Sequence, residues 1–349
     1  MYVLKRIAAA VAAGTLLCSV AESASQQLRV TLQLPRDSHL YENLDFFKRL
    51  VEKRTNGALE IIVAHSGQLM KEQDAPEAVA TGAIEMASVS VNQYGNVVAA
   101  ADLFVEPFMF AHPPVLAAAT RPGSPVRTPL DRAILEQAGA RVLWWQSNGT
   151  AVMVSKGAPV DTPAAIAGKT VRVTTASEGE FVRACGGIPH IIQANAHYDA
   201  YGTDQVIAGS STIAAVAARK LWEVTDFVTY TRHRTSEFVV IINERLWQSL
   251  STEHRQVIEG AAREAQAAVR EHIAAIEREA HALAEKNGMR LVELANADLE
   301  QWKHCATPML EAYLDRSGPL GAQVMSGYRH LVVEAYRKAP TEPGLPKTQ

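Results

Sequence analysis

Between residues 251 and 286 the chain contains no proline, and Gly260 is the only glycine there. Val257, Ala261, Ala265, Val269, Ile273, Ile276, Ala280 and Leu283 recur every three or four residues, while Glu, Arg, Gln and His fill the remaining face. This is the pattern of one continuous amphipathic helix. Ser251 stands where an N-cap belongs, Glu253 suits the positive end of the helix dipole, and Asn287-Gly288 stops the run. At 1.5 Å per residue the helix is ~50 Å long, more than one globular domain spans. It must brace two bodies or pair in a coiled coil. A stripe made mostly of alanine suits close packing on a globular body and favours bracing.

The sequence before this helix reads as two α/β units. Leu28, Val30, Leu32 and Leu34 alternate with polar residues, as in a strand. Leu40, Leu44, Phe47 and Val51 form one face of a helix that ends at Asn56-Gly57. Strands at residues 59–64 and 84–90 flank a helix near 74–81, an alternation that indicates a largely parallel sheet. The pattern restarts with strands at 141–145 and 150–155, interrupted by Asn148-Gly149. Thr162-Pro163 reads as an N-cap with proline at N1. A strand at 169–173, a helix at 178–185, and strands at 187–192, 204–208, 223–230 and 237–242 follow. The fold class is therefore α/β, with two lobes and a long helix spanning both.

Length agrees with that division, since 349 residues exceed what one core usually serves. A net charge of −3 gives no basic face for nucleic acid. Lys5 and Arg6 followed by an apolar stretch at residues 7–20 resemble a secretory signal, too short for the ~20 residues of a membrane-spanning helix. Ser19 and Ala21 supply small residues before a cleavage site after Ala21. Cleavage would leave Cys185 and Cys305, as either one disulfide or two buried thiols, the second being favoured. Residues 339–349 read as a flexible tail.

Signatures of catalysis are missing. Ala167-Gly168-Lys169-Thr170 resembles the end of a phosphate-binding loop, but the glycine needed five positions before Gly168 is Pro163. No Gly-x-Gly-x-x-Gly, His-Glu-x-x-His or Gly-x-Ser-x-Gly occurs, and the eleven histidines are scattered. No cofactor or metal is implied. A two-lobed α/β protein of this kind suits closure around a small ligand.

Several segments together resemble the substrate-binding proteins of tripartite ATP-independent periplasmic (TRAP) transporters. They are Leu34-Pro35 with Ser38-His39, Thr55-Asn56-Gly57, Ser66-Gly67-Gln68-Leu69, Gly82-Ala83-Ile84-Glu85-Met86, Glu106-Pro107-Phe108, Asn148-Gly149, Gly168-Lys169-Thr170-Val171-Arg172-Val173, Lys220-Leu221-Trp222-Glu223-Val224, His233, Asn243 and Trp247. The resemblance runs from about Arg29 to about Tyr336. It implies a periplasmic-binding-protein-like fold with hinge strands between discontinuous lobes. Residues 22–148 with 238–270 would form lobe I, and 149–237 with 271–338 lobe II. It also implies a non-enzymatic periplasmic receptor, acting as a monomer, that hands a small organic acid to membrane permease subunits.

The resemblance assigns the ligand carboxylate to Arg172, whose planar guanidinium can hold it bidentately. Many members carry a second arginine two positions after Asn-Gly, where this chain has Ala151. A hydroxyl-rich run including Ser210 and Ser211 replaces the usual acid-Asn-Pro stretch. Both departures favour a monocarboxylate over a dicarboxylate or large sugar acid, unless Arg36 or Arg232 reaches the site. Gln33, Ser90, Asn92, Asn148 and Thr175, placed at strand ends or at the lobe crossing, complete the expected ligand-binding set. Trp144 and Trp145 should face opposite sides of their strand. The alternative functions are a secreted α/β hydrolase or lyase and a ligand sensor for a membrane kinase.

Overall fold

The computed structural model describes residues 25–338; the expected leader, its cleavage site and the tail lie outside the described residues. The first half of the chain forms β1 (Gln26–Leu32), α1 (His39–Arg54), β2 (Leu59–Ala64), α2 (Ala75–Thr81), β3 (Met86–Ser90), α3 (Pro113–Thr120), α4 (Arg127–Ala138), β4 (Ala140–Ser155), β5 (Thr170–Val173) and α5 (Ala176–Ala184). Then follow β6 (Ile188–Ile191), α6 (His197–Gly202), β7 (Ala208–Thr212), α7 (Ile213–Ala218), β8 (Phe227–Tyr230), β9 (Thr235–Asn243), α8 (Glu244–Ser249), α9 (Thr252–Lys286), β10 (Arg290–Glu293), α10 (Asn296–Ala306) and α11 (Met309–Lys338).

Local chemistry sets the ends of these elements. The Ser38 and Ser251 side chains cap α1 and α9 by accepting from the N–H groups of Tyr41 and His254. Gly82, at φ +84°, ends α2 in the left-handed conformation that glycine adopts without steric cost. Within α11, Gly318 takes φ 57° and ψ −147° immediately before Pro319, so this element is two helices joined at a break.

The strands lie in the order β2-β1-β3-β9-β4-β7-β5-β6, with β8 pairing both β4 and β10. β4 and β9 carry the sheet from one lobe to the other. The first part of β4 pairs antiparallel with β9, and residues 151–155 pair instead with β7 and β8. β4 is thus one strand through Asn148-Gly149, where an interruption was expected. The dipeptide appears as a register irregularity between Ser147 and Thr150. Gly149 takes φ +94°, and a Cβ there would lie 2.5 Å from Glu277 Oε1, so glycine is what allows the carboxylate of α9 to reach this crossing.

Two apolar clusters fill the first lobe, one on each face of its sheet. Trp144 packs with Phe47, Leu28 and Phe238, whereas Trp145 packs with Phe104, Tyr94 and Val239. Both tryptophans are core residues on opposite faces, as strand alternation requires. The second lobe has two clusters of its own, around Val154, Tyr201 and Val228 and around Val171, Phe181 and Trp302. Ile258, Ala261, Ala262, Ala265 and Val269 of α9 are buried in a first-lobe cluster, and Ala280 and Ala284 in a second-lobe cluster. The brace is real, but its stripe is turned by one residue at each end: Ile258 is buried instead of Val257, and Ala284 instead of Leu283. Tyr313, Val324, Met325 and Leu331 of α11 run back into the first lobe's Trp145 cluster.

Two sequence expectations are corrected. The strand placed at 204–208 is β7, which lies at Ala208–Thr212 and so contains the Gly209-Ser210-Ser211 run. Small hydroxyl side chains are tolerated there because the strand is buried and their oxygens find local partners. Pro163 opens a 3-10 turn rather than an α-helix, and the Thr162 side chain makes no capping bond.

Cys185, at the end of α5, and Cys305, on α10, form a disulfide rather than two free thiols. The bond ties residues 120 apart in sequence and pins α10 beneath the second lobe's sheet. Closing so long a loop restricts the unfolded chain. Replacing both cysteines by serine is therefore expected to lower unfolding free energy by about 2–4 kcal/mol. Urea denaturation of the oxidised protein and the double variant checks this, and coincident midpoints would show that the cross-link contributes nothing.

Candidate functional site

Where β4 and β9 cross between the lobes lies a narrow cavity of about 40 Å³. Its walls are Glu72, Ser90, Asn148, Arg172, Thr174, Ala194, Ser211, Thr212, Ala215, Arg219, Arg234, Ser236 and Phe238. The carboxyl ends of strands supply five of the thirteen: Ser90 closes β3, Arg172 and Thr174 lie at and just past the end of β5, and Ser211 and Thr212 end β7. Carboxyl ends of strands are where open α/β sheets gather ligands.

Arg172 is 3% exposed. Its Nε donates to Ile192 O at 2.8 Å and its Nη1 to Ser210 O at 2.6 Å, which fixes the plane of the guanidinium. Across the ladder stands Gly209. A Cβ at that position would lie 2.8 Å from Arg172 Cβ and 2.8 Å from the Tyr201 hydroxyl, so the arginine occupies space that a side chain would fill.

Arg234 enters from the start of β9. Its Nε and Nη2 donate to Glu178 Oε1 at 2.8 and 2.5 Å, its Nη2 also to Ser210 Oγ at 3.0 Å, and its Nη1 to Thr235 O at 3.3 Å. The other oxygen of Glu178 accepts from Thr174 N at 2.7 Å and Thr174 Oγ1 at 2.6 Å. Burial pushes Glu178 up, but Arg234, Arg172 and the Thr174 bonds outweigh it and hold the carboxyl at about 2. Glu72 is raised by burial, against the opposing Ser90 N–H bond and the charges of Arg172 and Arg219. Burial first, and then the neighbouring Arg172, lower Arg219 to about 10, which leaves it charged at neutral pH.

Of the expected residues, Arg172, Ser90, Asn148 and Ser211 line this cavity. Asn148 donates to Ser236 Oγ at 3.3 Å, while its buried Oδ1 has no partner. Gln33, Asn92, Thr175 and Ser210 are not among the walls. Gln33 donates to Met70 O at 2.7 Å, Asn92 reaches Thr174 Oγ1 at 3.4 Å, Thr175 caps α5, and Ser210 supports both arginines from behind. Arg36 lies over the Tyr41 ring, and Arg232 pairs with Glu293 at 2.6 and 2.9 Å; neither lines the cavity.

Glu72, Arg219, Arg234 and Glu178 escaped the sequence reading. The one available signal was Arg232-His233-Arg234, where alternation puts two arginines on one face and leaves the local twist to decide which points inward. Larger grooves of about 380 and 600 Å³ run beside α9. In the smaller one Arg232 is spent on Glu293, and His281 meets Tyr230 at 2.7 Å.

Ser210 Oγ lies 3.3 Å from His233 Nε2, so a serine–histidine pair does exist. It lacks the setting of a nucleophile. The serine is 1% exposed, the imidazole is pushed down to about 3 by burial and by Arg234, and Thr231 rather than a carboxylate faces its Nδ1. Among the described residues no His, Cys, Asp or Glu cluster is placed to hold a metal ion, and no helix is long and apolar enough to cross a membrane.

The chain matches the family model described as DctP, bacterial extracellular solute-binding protein, family 7, over residues 31–316. It is 26% identical to the C4-dicarboxylate-binding periplasmic protein DctP of Rhodobacter capsulatus over 295 residues, covering 82% of this chain and 85% of that protein. It is 28% identical to the 2,3-diketo-L-gulonate-binding periplasmic protein YiaO of Escherichia coli K12 over 257 residues, covering 72% and 76%. In structure it is similar to DctP7, a Bordetella pertussis extracytoplasmic solute receptor binding pyroglutamic acid. The TM-score is 0.83 at 22% identity, covering 87% of this chain and 100% of that one.

The Glu178–Arg234 pair has a pH signature. A depressed carboxyl contributes stability that is complete above its ordinary value of 4.5 and is lost as pH falls towards about 2. Glu178→Gln leaves a buried guanidinium without its counter-charge and is expected to cost about 3–5 kcal/mol near neutral pH. The gap between wild type and variant should be constant above pH 5 and narrow between pH 4.5 and 2. Urea titrations across that range check the shape, and a pH-independent gap would mean that Glu178 is not ionised in the fold.

Proposed function

The chain belongs to family 7 of the bacterial extracellular solute-binding proteins, and from that membership we propose that it is the periplasmic receptor of a TRAP transporter. It binds a small organic acid between its lobes and delivers it to the membrane permease without chemical change. The observation that carries this reading is the buried Arg172, aimed into an inter-lobe cavity with one guanidinium nitrogen, Nη2, left unbonded.

Charge narrows the ligand. Three guanidiniums and two carboxylates, those of Glu72 and Glu178, meet in and beside the cavity. With both acids ionised the site carries one surplus positive charge, which a monocarboxylate neutralises. Ser90, Asn148 and Ser211 offer hydrogen bonds to the rest of the molecule, and the orphaned Asn148 Oδ1 calls for a ligand donor. The relatives named above bind a C4-dicarboxylate, a keto sugar acid and pyroglutamate, so the carboxylate is their shared chemistry. Gln33, Asn92, Thr175 and Ser210 support the walls from the next layer.

The lobe division we propose follows packing. Residues up to 148 with 238–270 form lobe I, joined by α11, and 149–237 with 271–306 form lobe II. The receptor works as a monomer, is exported with cleavage after Ala21, and closes at the β4–β9 crossing.

A thermal-shift screen of organic acids tests the function. A ligand present at 100 times its Kd stabilises the folded state by ~2.7 kcal/mol. At least one carboxylate should raise the midpoint by that measure, and the absence of any stabilising carboxylate would remove the reading. Arg172→Met is expected to abolish binding of that acid in calorimetry while the variant still unfolds cooperatively. Unchanged affinity would take Arg172 out of the site.

A further inference from the structure

Counting donors separates the three arginines of the cavity. Arg234 spends all its nitrogens on Glu178, Ser210 and Thr235. Arg172 spends Nε and Nη1 on backbone carbonyls. Arg219 lines the same cavity, half-buried, and its guanidinium makes no hydrogen bond or ion pair among the described residues. It therefore brings an entire unspent fork.

The fold explains how Arg219 gets there. The residue sits at the C-terminal end of α7, whose first turn is capped by Thr212 at the cavity wall. Side chains on a helix lean back towards its N-terminus. Ala215, one turn earlier, is also part of the wall, and an alanine there leaves room for a side chain directed back from Arg219. The position two residues after Asn148-Gly149 offers no cation, since it is Ala151. Its N–H donates to Arg234 O at 2.9 Å, which puts Arg234 beside the empty place, but that guanidinium is already committed.

The guanidiniums of Arg172 and Arg219 line the same small cavity, and the charge of Arg172 bears unfavourably on Arg219 in the ligand-free protein. A carboxylate between them replaces that repulsion with two charge-assisted contacts. We propose that Arg219 is the second anion-binding residue of this site and clamps one ligand carboxylate together with Arg172. This deepens the organic-acid reading above and rests on it. It also means that a two-arginine clamp is present, built from a residue that no motif marks.

The test uses the full mature protein and isothermal calorimetry with sodium lactate, pyroglutamate, succinate and galactonate. Arg219→Met should weaken the tightest of these by at least ~tenfold, with the ligand-free melting temperature unchanged or raised because no native contact is lost. Arg219→Gln, which retains polarity without charge, should weaken it comparably and guards against a folding defect in the first variant. Weakening by less than ~tenfold in a cooperatively folded variant would overturn the clamp and leave the receptor reading standing. Failure of all four acids to bind wild type would overturn both.

Discussion

The buried pair of Arg234 and Glu178 sets the terms for the rest of the cavity. It joins β9, which crosses between the lobes, to α5 of the second lobe, and it lies where water is largely excluded. Such a pair is costly to desolvate and holds only when its remaining hydrogen-bonding positions are filled. Here Thr174 and Ser210 fill them. Once Glu178 is neutralised by Arg234, the charge left over in the cavity belongs to Arg172, Arg219 and Glu72. The pair takes one charge of each sign out of play and leaves two guanidiniums facing one carboxylate.

Two glycines do comparable work with no side chain. Gly209 clears the volume in which Arg172 lies, and Gly149 lets Glu277 of α9 accept from Thr150 N at 2.8 Å. In both cases a charged group from another element approaches the backbone closely, and in both the carbon that would block it is absent. A strand glycine usually marks such an approach.

The fold was legible wherever periodicity ran long. The existence and reach of α9, the alternation through β1 and the Trp144–Trp145 pair appeared as read, because a helix or strand buried on one face repeats its signal many times; only the α9 stripe is turned by one residue at its ends. β7 was misplaced because Gly209, Ser210 and Ser211 have the composition of a turn, and burial between two neighbouring strands overrides that preference. α7 was missed because a six-residue helix is too short for its period to show. The site divided the same way. Arg172 was reached through its motif, Ser90 and Asn148 through strand end and lobe position, and Ser211 through the hydroxyl-rich run, whereas Glu72, Arg219 and Arg234 are brought together by packing between segments far apart in sequence. Arg219 projects from the end of that unseen helix, so nothing local could have announced it.

The two ends of α9 are held differently from its middle. Up to Val269 and again from Ala280 its buried side chains are alkyl groups sunk into the two cores. Between them its contacts with the crossing strands are polar, Arg270 Nη1 to Glu237 at 3.1 Å and Glu277 to the Thr150 N–H. Parting packed alkyl surface exposes area that must be hydrated, and parting Arg270 from Glu237 would strand a buried carboxylate, so both kinds of contact resist separation. The helix is therefore a rod cemented at both ends and pinned by charge at its waist. Any rotation of one lobe against the other must then bend this helix with its contacts kept, rather than slide past it.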